Sequence, residues 1–510
     1  MFVAREHELQ VLEKLFTSDS FEMVVLYGRR RVGKTALIDE FVKDKRVLYF
    51  TAIQQSAKMN LEDFSRAALS FFGMPDSTPS FGGWSDALSF VAERAAQTDE
   101  RMVFVFDEFP YAAAAEPALP SMLQIAIDHG FLATKVTMIL SGSNEGFMEN
   151  DVLGRKSPLY GRRTAQIRLL PFDYADAAKF LTNTSPQELV QYYATFGGTP
   201  YYLARIQEAD GFESNVLRLM FDNLGVLREE PMMLLRQELR EPASYYSILQ
   251  SIAGGNSSPK LIAEHAGVGS DSIGAYLKTL VDLRLIERKV PFGEDPSKSR
   301  KGMYVVSDPF FAYWFRFVGR NMSILDGNIS EEVTSRLAFG PAFDTYVGQQ
   351  FETICLQWLI RNNAVGNLPF VATQFGKWWG NDPIAHEQTD IDVIAADSLD
   401  KTILFGECKW RNSFNETEAI EKLHQRAGLV RGYQAGNAWL MLFTKNPVSE
   451  STRTRYMDDE RMVFVPRKSY TLRDALLGDC DAVSRVLPTT TWQLRRITHH
   501  QIGVQVHHAR

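Results

Sequence analysis

Short apolar runs separated by helical stretches fill the chain from Glu22 to about Leu170: EMVVLYG, RVLYFTA, RMVFVFDE, KVTMILSG and AQIRLL. β-branched and aromatic runs joined by helices predict strands linked by crossovers, hence a five-stranded parallel sheet with helices on both faces. From Asp173 to Arg240 strand character is lost, and helices broken at Gly197, Gly198 and Pro200 predict a helical lid. Between Ala243 and Val306 the pattern predicts the helix SYYSILQSIA and a short helix opened by Ser258 with Pro259 at its first position. A third helix, capped by Ser270, runs through Leu285. Two strand-like pieces, LIERKVPF and GMYVVS, then flank a polar loop from Gly293 to Lys301, completing the order of a winged helix. From Phe310 to about Lys468 a second α/β unit has the hairpin DVIAADSLDKTILFGECKW at its centre. The tail after Trp492, with His499, His500, His507 and His508, has no periodicity and is expected to fray. The boundaries so drawn are 1–172, 173–240, 241–308, 309–470 and 471–510.

At 510 residues, with 45% hydrophobic and 23% charged, the chain is ordinary globular material for three or four units of about 150 residues. A single core is excluded. Its 55 basic and 62 acidic residues leave a net charge of −7, so any nucleic-acid contact has to be local. The three cysteines, Cys355, Cys408 and Cys480, show no CxxC spacing, which argues against a disulfide framework or a zinc ribbon and for a cytoplasmic protein. The N-terminus mixes Arg5, Glu6, Glu8, Glu13 and Lys14 among its apolar residues, so a signal peptide is not expected. No apolar run approaches the roughly 18 residues of a membrane span.

Chemistry enters at Gly28-Arg29-Arg30-Arg31-Val32-Gly33-Lys34-Thr35, a match to G-x-x-x-x-G-K-[ST] between a strand and a helix. Such a loop wraps phosphates with the backbone N–H groups of Arg31, Val32, Gly33, Lys34, Thr35 and Ala36. Lys34 neutralises β and γ oxygens, and the Thr35 hydroxyl suits Mg²⁺. The strand VFVF ends in Asp107-Glu108, where ligands of open α/β sheets bind. Asp107 suits the metal, and Glu108 can deprotonate water. VTMIL ends in Ser141-Gly142-Ser143-Asn144, so Ser143 could sense the γ-phosphate, although a plain polar turn would look the same. Arg162 and Arg163 are candidates for a charge-stabilising finger, acting on a neighbour in a ring or in cis in a monomer.

Together, FVAREHELQVLEKL, GRRRVGKTAL, VFDEFPYAA, LSGSN, SPLYGRR and GGTPYYL resemble the archaeal-type ATPase family, a branch of the AAA-like P-loop ATPases with a winged helix behind the lid. The resemblance covers about Met1 to Val306 and implies ATP rather than GTP. It also implies Arg5 and Glu6 near the adenine and the turn Gly197 to Pro200 contacting nucleotide from the lid. The third helix of the winged-helix segment balances Lys278 and Arg284 with Asp271 and Asp282, whereas the loop carries Lys298, Arg300 and Lys301 against Glu294 and Asp295. Backbone contact to DNA through the wing, or a relay role without DNA, both fit.

In the C-terminal unit, Glu407 and Lys409 share one strand face and Cys408 the other. A symmetric turn between Leu399 and Asp400 sets Asp392 opposite Glu407. Crowded carboxylates repel unless a cation sits between them, so Asp392, Glu407 and the Cys408 carbonyl are candidate Mg²⁺ ligands. Glu352, on the helix DTYVGQQFETICLQWLI, could reach the same ion, and Lys409 would activate water. This order, with FETICLQWL, KWWGND, DIDVIA and FGECKW, resembles the PD-(D/E)XK nuclease fold and the C-terminal domain that accompanies archaeal-type ATPases, over about Phe310 to Lys468. Asp390 stands where that family more often shows Glu, and Gln425 is the candidate polar residue on the following helix.

The sequence therefore predicts an α/β protein: a P-loop ATPase sheet with a helical lid, a winged helix and a PD-(D/E)XK-like domain. The expected function is ATP hydrolysis coupled to Mg²⁺-dependent cleavage of DNA, with a homo-oligomer possible. The rival is a nucleotide-gated regulatory scaffold whose C-terminal domain binds nucleic acid or protein without cutting.

Overall fold

The computed structural model describes residues 2–327 and 329–466. Five strands, β1 (Glu22–Tyr27), β2 (Val47–Thr51), β3 (Met102–Asp107), β4 (Val136–Gly142) and β5 (Ala165–Arg168), form a wholly parallel sheet in the order β2-β3-β4-β1-β5. Strands β1, β3 and β4 are buried along their whole length, as expected where helices cover both faces of a parallel sheet. Period-two alternation splits β3 cleanly. Phe104 and Phe106 join Phe50, Phe64 and Trp84 in one core, while Val103 and Val105 pack with Leu12, Leu37 and Ile38 in the other. The carboxyl ends of β1, β3 and β4 then open on one edge, delivering Gly28, Asp107 and Ser143 to the same side.

Three helices follow the lid, Pro242–Ala253, Pro259–Ala266 and Ile273–Asp282, and then an antiparallel hairpin of β6 (Ile286–Lys289) and β7 (Met303–Val306). The third helix starts later than its sequence suggests. Ser270 lies in the turn before it, and Ser272 Oγ donates to the Gly269 carbonyl instead of capping. The basic residues of the hairpin loop are partly spent within the loop: Lys301 pairs with Glu294 at 2.7 Å and Lys298 with Asp295 at 3.6 Å.

The C-terminal sheet comprises β8 (Gln374–Asp382), β9 (Glu387–Asp397), β10 (Thr402–Lys409), β11 (Trp439–Thr444) and β12 (Met462–Pro466), in the order β12-β11-β10-β9-β8. Strands β8, β9 and β10 form an antiparallel meander, and β10 to β12 run parallel. The helix Pro341–Ala364 covers the face of Val393, Ala395 and Leu404, and the helix Glu416–Ala427 covers that of Ile394, Ile403 and Phe405.

One buried core runs from Phe172 through Tyr192, Leu249, Tyr313 and Tyr346 to Phe443. It crosses residues 240 and 308 without a break, so the lid, the helix-hairpin segment and one face of the C-terminal sheet are packed as one body. Among the described residues, no helix is long and apolar enough to cross a membrane. The extension at 471–510, with its histidines, lies outside the described residues.

Candidate functional site

A cavity of about 410 Å³ opens over the loop that follows β1. Arg31, Val32, Gly33, Lys34, Thr35 and Ala36 line it with Glu108, and Pro200 and Tyr201 close it from the lid. Gly28 has φ 155°, and a Cβ there would sit 2.3 Å from the Leu169 carbonyl oxygen, so only glycine lets the loop leave β1 against the chain beyond β5. Gly198 plays the same part for the lid: its Cβ would lie 1.7 Å from the Phe172 oxygen, and its own carbonyl accepts from Phe172 N at 2.8 Å. Pro200 is thereby brought within 3.7 Å of the Cβ position of Gly33.

Lys34 lies at the start of the helix Lys34–Val42, and its Nζ donates to the Gly28 carbonyl at 2.8 Å and the Arg29 carbonyl at 3.3 Å. Burial lowers its pKa, against the pull of Glu108 and Asp107. Asp107 is buried behind the cavity, 3.4 Å from Tyr49 Oη. Its carboxyl is pushed up by burial, with Ser141 opposing. Glu108 holds a left-handed φ of 49°, a conformation that costs about 1–3 kcal/mol for a side chain of this kind and recurs at functional sites. Ser143 Oγ donates to both Glu108 carboxylate oxygens at 2.7 Å, and Ser143 N to one at 3.2 Å. Ser143 therefore reaches the site through Glu108 and is not itself among the lining residues.

At the other end of the cavity, Arg5 lies over the Phe172 ring, 4.3 Å from its centroid, beside Phe2, Val3 and Phe180. Glu6 is turned outward, mostly exposed and 3.9 Å from Lys179. Arg162 is also elsewhere: it makes a bidentate pair with Asp128, Nε to Oδ1 at 2.8 Å and Nη2 to Oδ2 at 2.6 Å, away from the cavity of its own chain. The finger read onto Arg162 in cis is thus not formed here, because Asp128 holds the guanidinium.

The second cluster sits on the C-terminal sheet. The β9-β10 ladder pairs Thr402 with Asp397 through Gly406 with Val393, a register that carries Asp392 to the position facing Glu407. Asp392 Oδ2 accepts from Cys408 N at 2.8 Å, and Lys409 Nζ lies 2.5 Å from Glu407 Oε1. The Asp392 carboxyl is pushed up to about 7 by burial, then by the charges of Glu352 and Glu407. Burial likewise raises Glu352.

Two cations at this cluster were missed by reasoning from sequence. Lys377 Nζ lies 2.6 Å from Glu352, 2.9 Å from Asp390 and 3.6 Å from Asp392. Burial works against its charge, yet the carboxylates outweigh it and hold the ammonium above its ordinary range. It stands where the β8-β9 register shifts between Gly376 and Trp378, and a bulge of this kind re-aims a side chain. Arg426 Nη2 donates to Glu407 at 3.1 Å and Nη1 to the Asp390 carbonyl at 2.7 Å. The helix after the Glu-x-Lys strand thus presents Arg426 where Gln425 was expected.

Among the described residues, no group of three or more His, Cys, Asp or Glu side chains is arranged to hold a metal ion. A divalent ion at the C-terminal cluster would rest on Asp392, Glu407 and the Cys408 carbonyl, and at the nucleotide site on Thr35 and Asp107. Both are hard-oxygen sets of the size Mg²⁺ completes with water and phosphate oxygens.

Comparison with known proteins follows the same division. Residues 2–206 match the family described as an ATPase domain predominantly from Archaea. Residues 314–420 match a family described as archaea bacterial proteins of unknown function. The Methanocaldococcus jannaschii protein MJECL04 is 32% identical over 416 residues, 81% of this chain and 88% of that protein. The ATP-binding protein MJ0423 of the same organism is 47% identical over 47 residues, 9% of this chain and 80% of that protein. Among solved structures, the Walker-type ATPase paby2304 of Pyrococcus abyssi aligns at 21% identity and a TM-score of 0.44, covering 62% of this chain and 96% of that one. With its cavity lined by the P-loop and closed by the lid, and with a close relative matched along most of both lengths, the chain belongs to the archaeal-type ATPase family that joins this ATPase domain to that C-terminal domain.

Proposed function

We propose that this protein is an ATP-hydrolysing switch whose C-terminal domain cuts DNA. ATP enters the cavity with its base beside Arg5 and Phe172 and its phosphates on the loop from Gly28 to Ala36. Glu108, held by Ser143, takes the proton of the attacking water, while Lys34 meets the β and γ oxygens. Mg²⁺, when bound at Thr35 and Asp107, supplies charge neutralisation for the phosphates. In the C-terminal cluster, Lys409 orients water for attack on a phosphodiester, and Glu352, Asp392 and Glu407 provide the acidic pocket.

The observation that carries the cleavage reading is the gathering of Asp392 with Glu407 across the β9-β10 ladder and with Glu352 from the helix Pro341–Ala364, where burial first and then these two charges lift the Asp392 carboxyl to about 7. Acids so placed favour a cation between them. Coupling is supported from both ends of the helix-hairpin segment. Arg29 of the P-loop pairs with the buried Asp308 just after β7. Phe292 in the hairpin loop donates its N–H to the Lys377 carbonyl at 2.8 Å. Motion at the nucleotide can thus reach the strand beside the cluster.

The test is cleavage of single- and double-stranded DNA with Mg²⁺ or Mn²⁺, with and without ATP. Cutting by wild type that is lost in Lys409→Ala supports the reading. No cutting under any condition, with intact ATP turnover, replaces it with the scaffold. One observation favours that second reading: Lys377 already pairs with three of the carboxylates, so the cluster is neutralised by the chain itself.

A further inference from the structure

Four cationic side chains line the nucleotide cavity: Arg5, Arg30, Arg31 and Lys34. Three of them have evident engagements. Arg5 lies on Phe172 and donates to the Leu170 carbonyl at 2.5 Å. Arg31 is paired with Glu230 and sits 4.3 Å over the Tyr201 ring. Lys34 folds back onto the loop carbonyls.

Arg30 is different. Its hydrogen bonds go to neutral groups, the Tyr111 hydroxyl and Gln237 Oε1, the latter at 2.8 Å. The Glu238 carboxylate approaches Nε only to 3.4 Å, and Nε is buried with no hydrogen-bond partner. Arg30 shares the cavity wall with Lys34 and Glu108, and its charge is felt at Lys34. Its guanidinium thus lines the same cavity as the lysine read as meeting the β and γ oxygens and the carboxylate read as activating water.

We propose that Arg30 is a catalytic residue that stabilises the γ-phosphoryl group in cis, in the role the sequence had suggested for Arg162. The inference rests on the hydrolysis reading above. As Glu108 removes a proton from water, the water oxygen attacks the γ-phosphorus. The bond from that phosphorus to the bridging oxygen breaks, and the oxygen leaves with its electron pair on ADP. Arg30 gains and loses no proton; its N–H groups neutralise the equatorial oxygens as charge spreads over them. Gln237 and Glu238 end the helix Glu230–Glu238, so the same guanidinium couples the reacting phosphate to the lid.

The full-length chain tests this with Arg30→Ala and Arg30→Lys, read by steady-state ATP hydrolysis and by ADP binding with and without aluminium fluoride. Arg30→Ala is expected to lower kcat roughly 1,000-fold. ADP affinity should stay within about threefold, showing an intact fold, while the tightening of ADP by aluminium fluoride disappears. Arg30→Lys should fall between the two. Mixing Arg30→Ala with Lys34→Ala should restore nothing, because the arginine serves its own chain's nucleotide. A kcat for Arg30→Ala within tenfold of wild type, or recovery on mixing, overturns the proposal. Wild type that binds ADP but never turns ATP over overturns the hydrolysis reading as well.

Discussion

The two charged sites of this chain are assembled by opposite routes. In the nucleotide cavity most phosphate-facing groups come from one contiguous stretch, Gly28 to Ala36, and the lining cations outnumber the one lining carboxylate, Glu108. Carboxylates outside the lining, Glu8, Glu238 and Glu230, pair with Arg5, Arg30 and Arg31, while Lys34 rests on loop carbonyls. In the C-terminal cluster the side chains come from five elements. Glu352 belongs to the helix Pro341–Ala364, Lys377 to β8, Asp390 and Asp392 to β9, Glu407 and Lys409 to β10, and Arg426 to the helix Glu416–Ala427. Here the carboxylates are answered by the chain's own lysines and arginine. A loop whose backbone does the binding tolerates waiting for its ligand, whereas buried carboxylates cannot wait without a cation. Losing a cation should therefore cost ligand binding at the first site and fold stability at the second.

The largest expected effect is on turnover. Glu108→Gln should retain ATP binding and lose roughly 100- to 10,000-fold in hydrolysis, the range for a general base, whereas Lys34→Ala should weaken nucleotide binding by about 2–5 kcal/mol. Equal turnover in wild type and Glu108→Gln would remove Glu108 from the mechanism. At the second site, Lys377→Met should lower stability by about 3–5 kcal/mol, because one partner of a largely buried cluster is removed. Mn²⁺ should restore part of that loss, seen as a rise in thermal midpoint absent from wild type. A variant as stable as wild type would break the contrast between the two sites.

Asp392 gives a pH-resolved test. Its carboxyl titrates near 7 in the fold and near about 3.9 in an unfolded chain. Between those values the unfolded state releases the proton first, so the native state loses stability as pH rises, with no further loss above 7. Asp392→Asn cannot ionise and should gain on wild type from pH 4 to 7, on the order of 2–4 kcal/mol at the top of that window. Thermal midpoints at pH 4.5, 6 and 7.5 check it, and an advantage that does not vary with pH would mean the acid is not crowded. The smallest effect belongs to the half-exposed Arg361, which bridges Asp173 and Asp176 from the C-terminal helix to the lid. Arg361→Ala should cost no more than about 1 kcal/mol.

Much of this was readable along the chain. The five apolar runs became the five parallel strands: the central three, β1, β3 and β4, are buried along their whole length and so must be largely apolar, and Asp107 breaks its run only at the end. The symmetric turn at Leu399 and Asp400 foretold the β9-β10 register, since a tight hairpin leaves the pairing no freedom. Lys377 was hidden for the opposite reason: the register shift beside it defeats counting by twos. For Arg162 the cis alternative gave way because the fold placed Asp128 within reach, a partner 34 residues away that no local pattern reveals.

The amino-acid sequence by itself determined what depends on neighbours along the chain: strand and helix periodicity, the glycine-bearing loop that wraps phosphates, the facing of Asp392 and Glu407 across a short turn. Tertiary structure decided what depends on charge in space. It tied Arg162 to Asp128 away from its own chain's cavity, turned Arg30 into that cavity, set Lys377 and Arg426 among the carboxylates, and ran one core through three predicted units. Local geometry follows from steric rules acting over a few residues, but the partner of a buried charge is whichever opposite charge folding brings within a few ångströms.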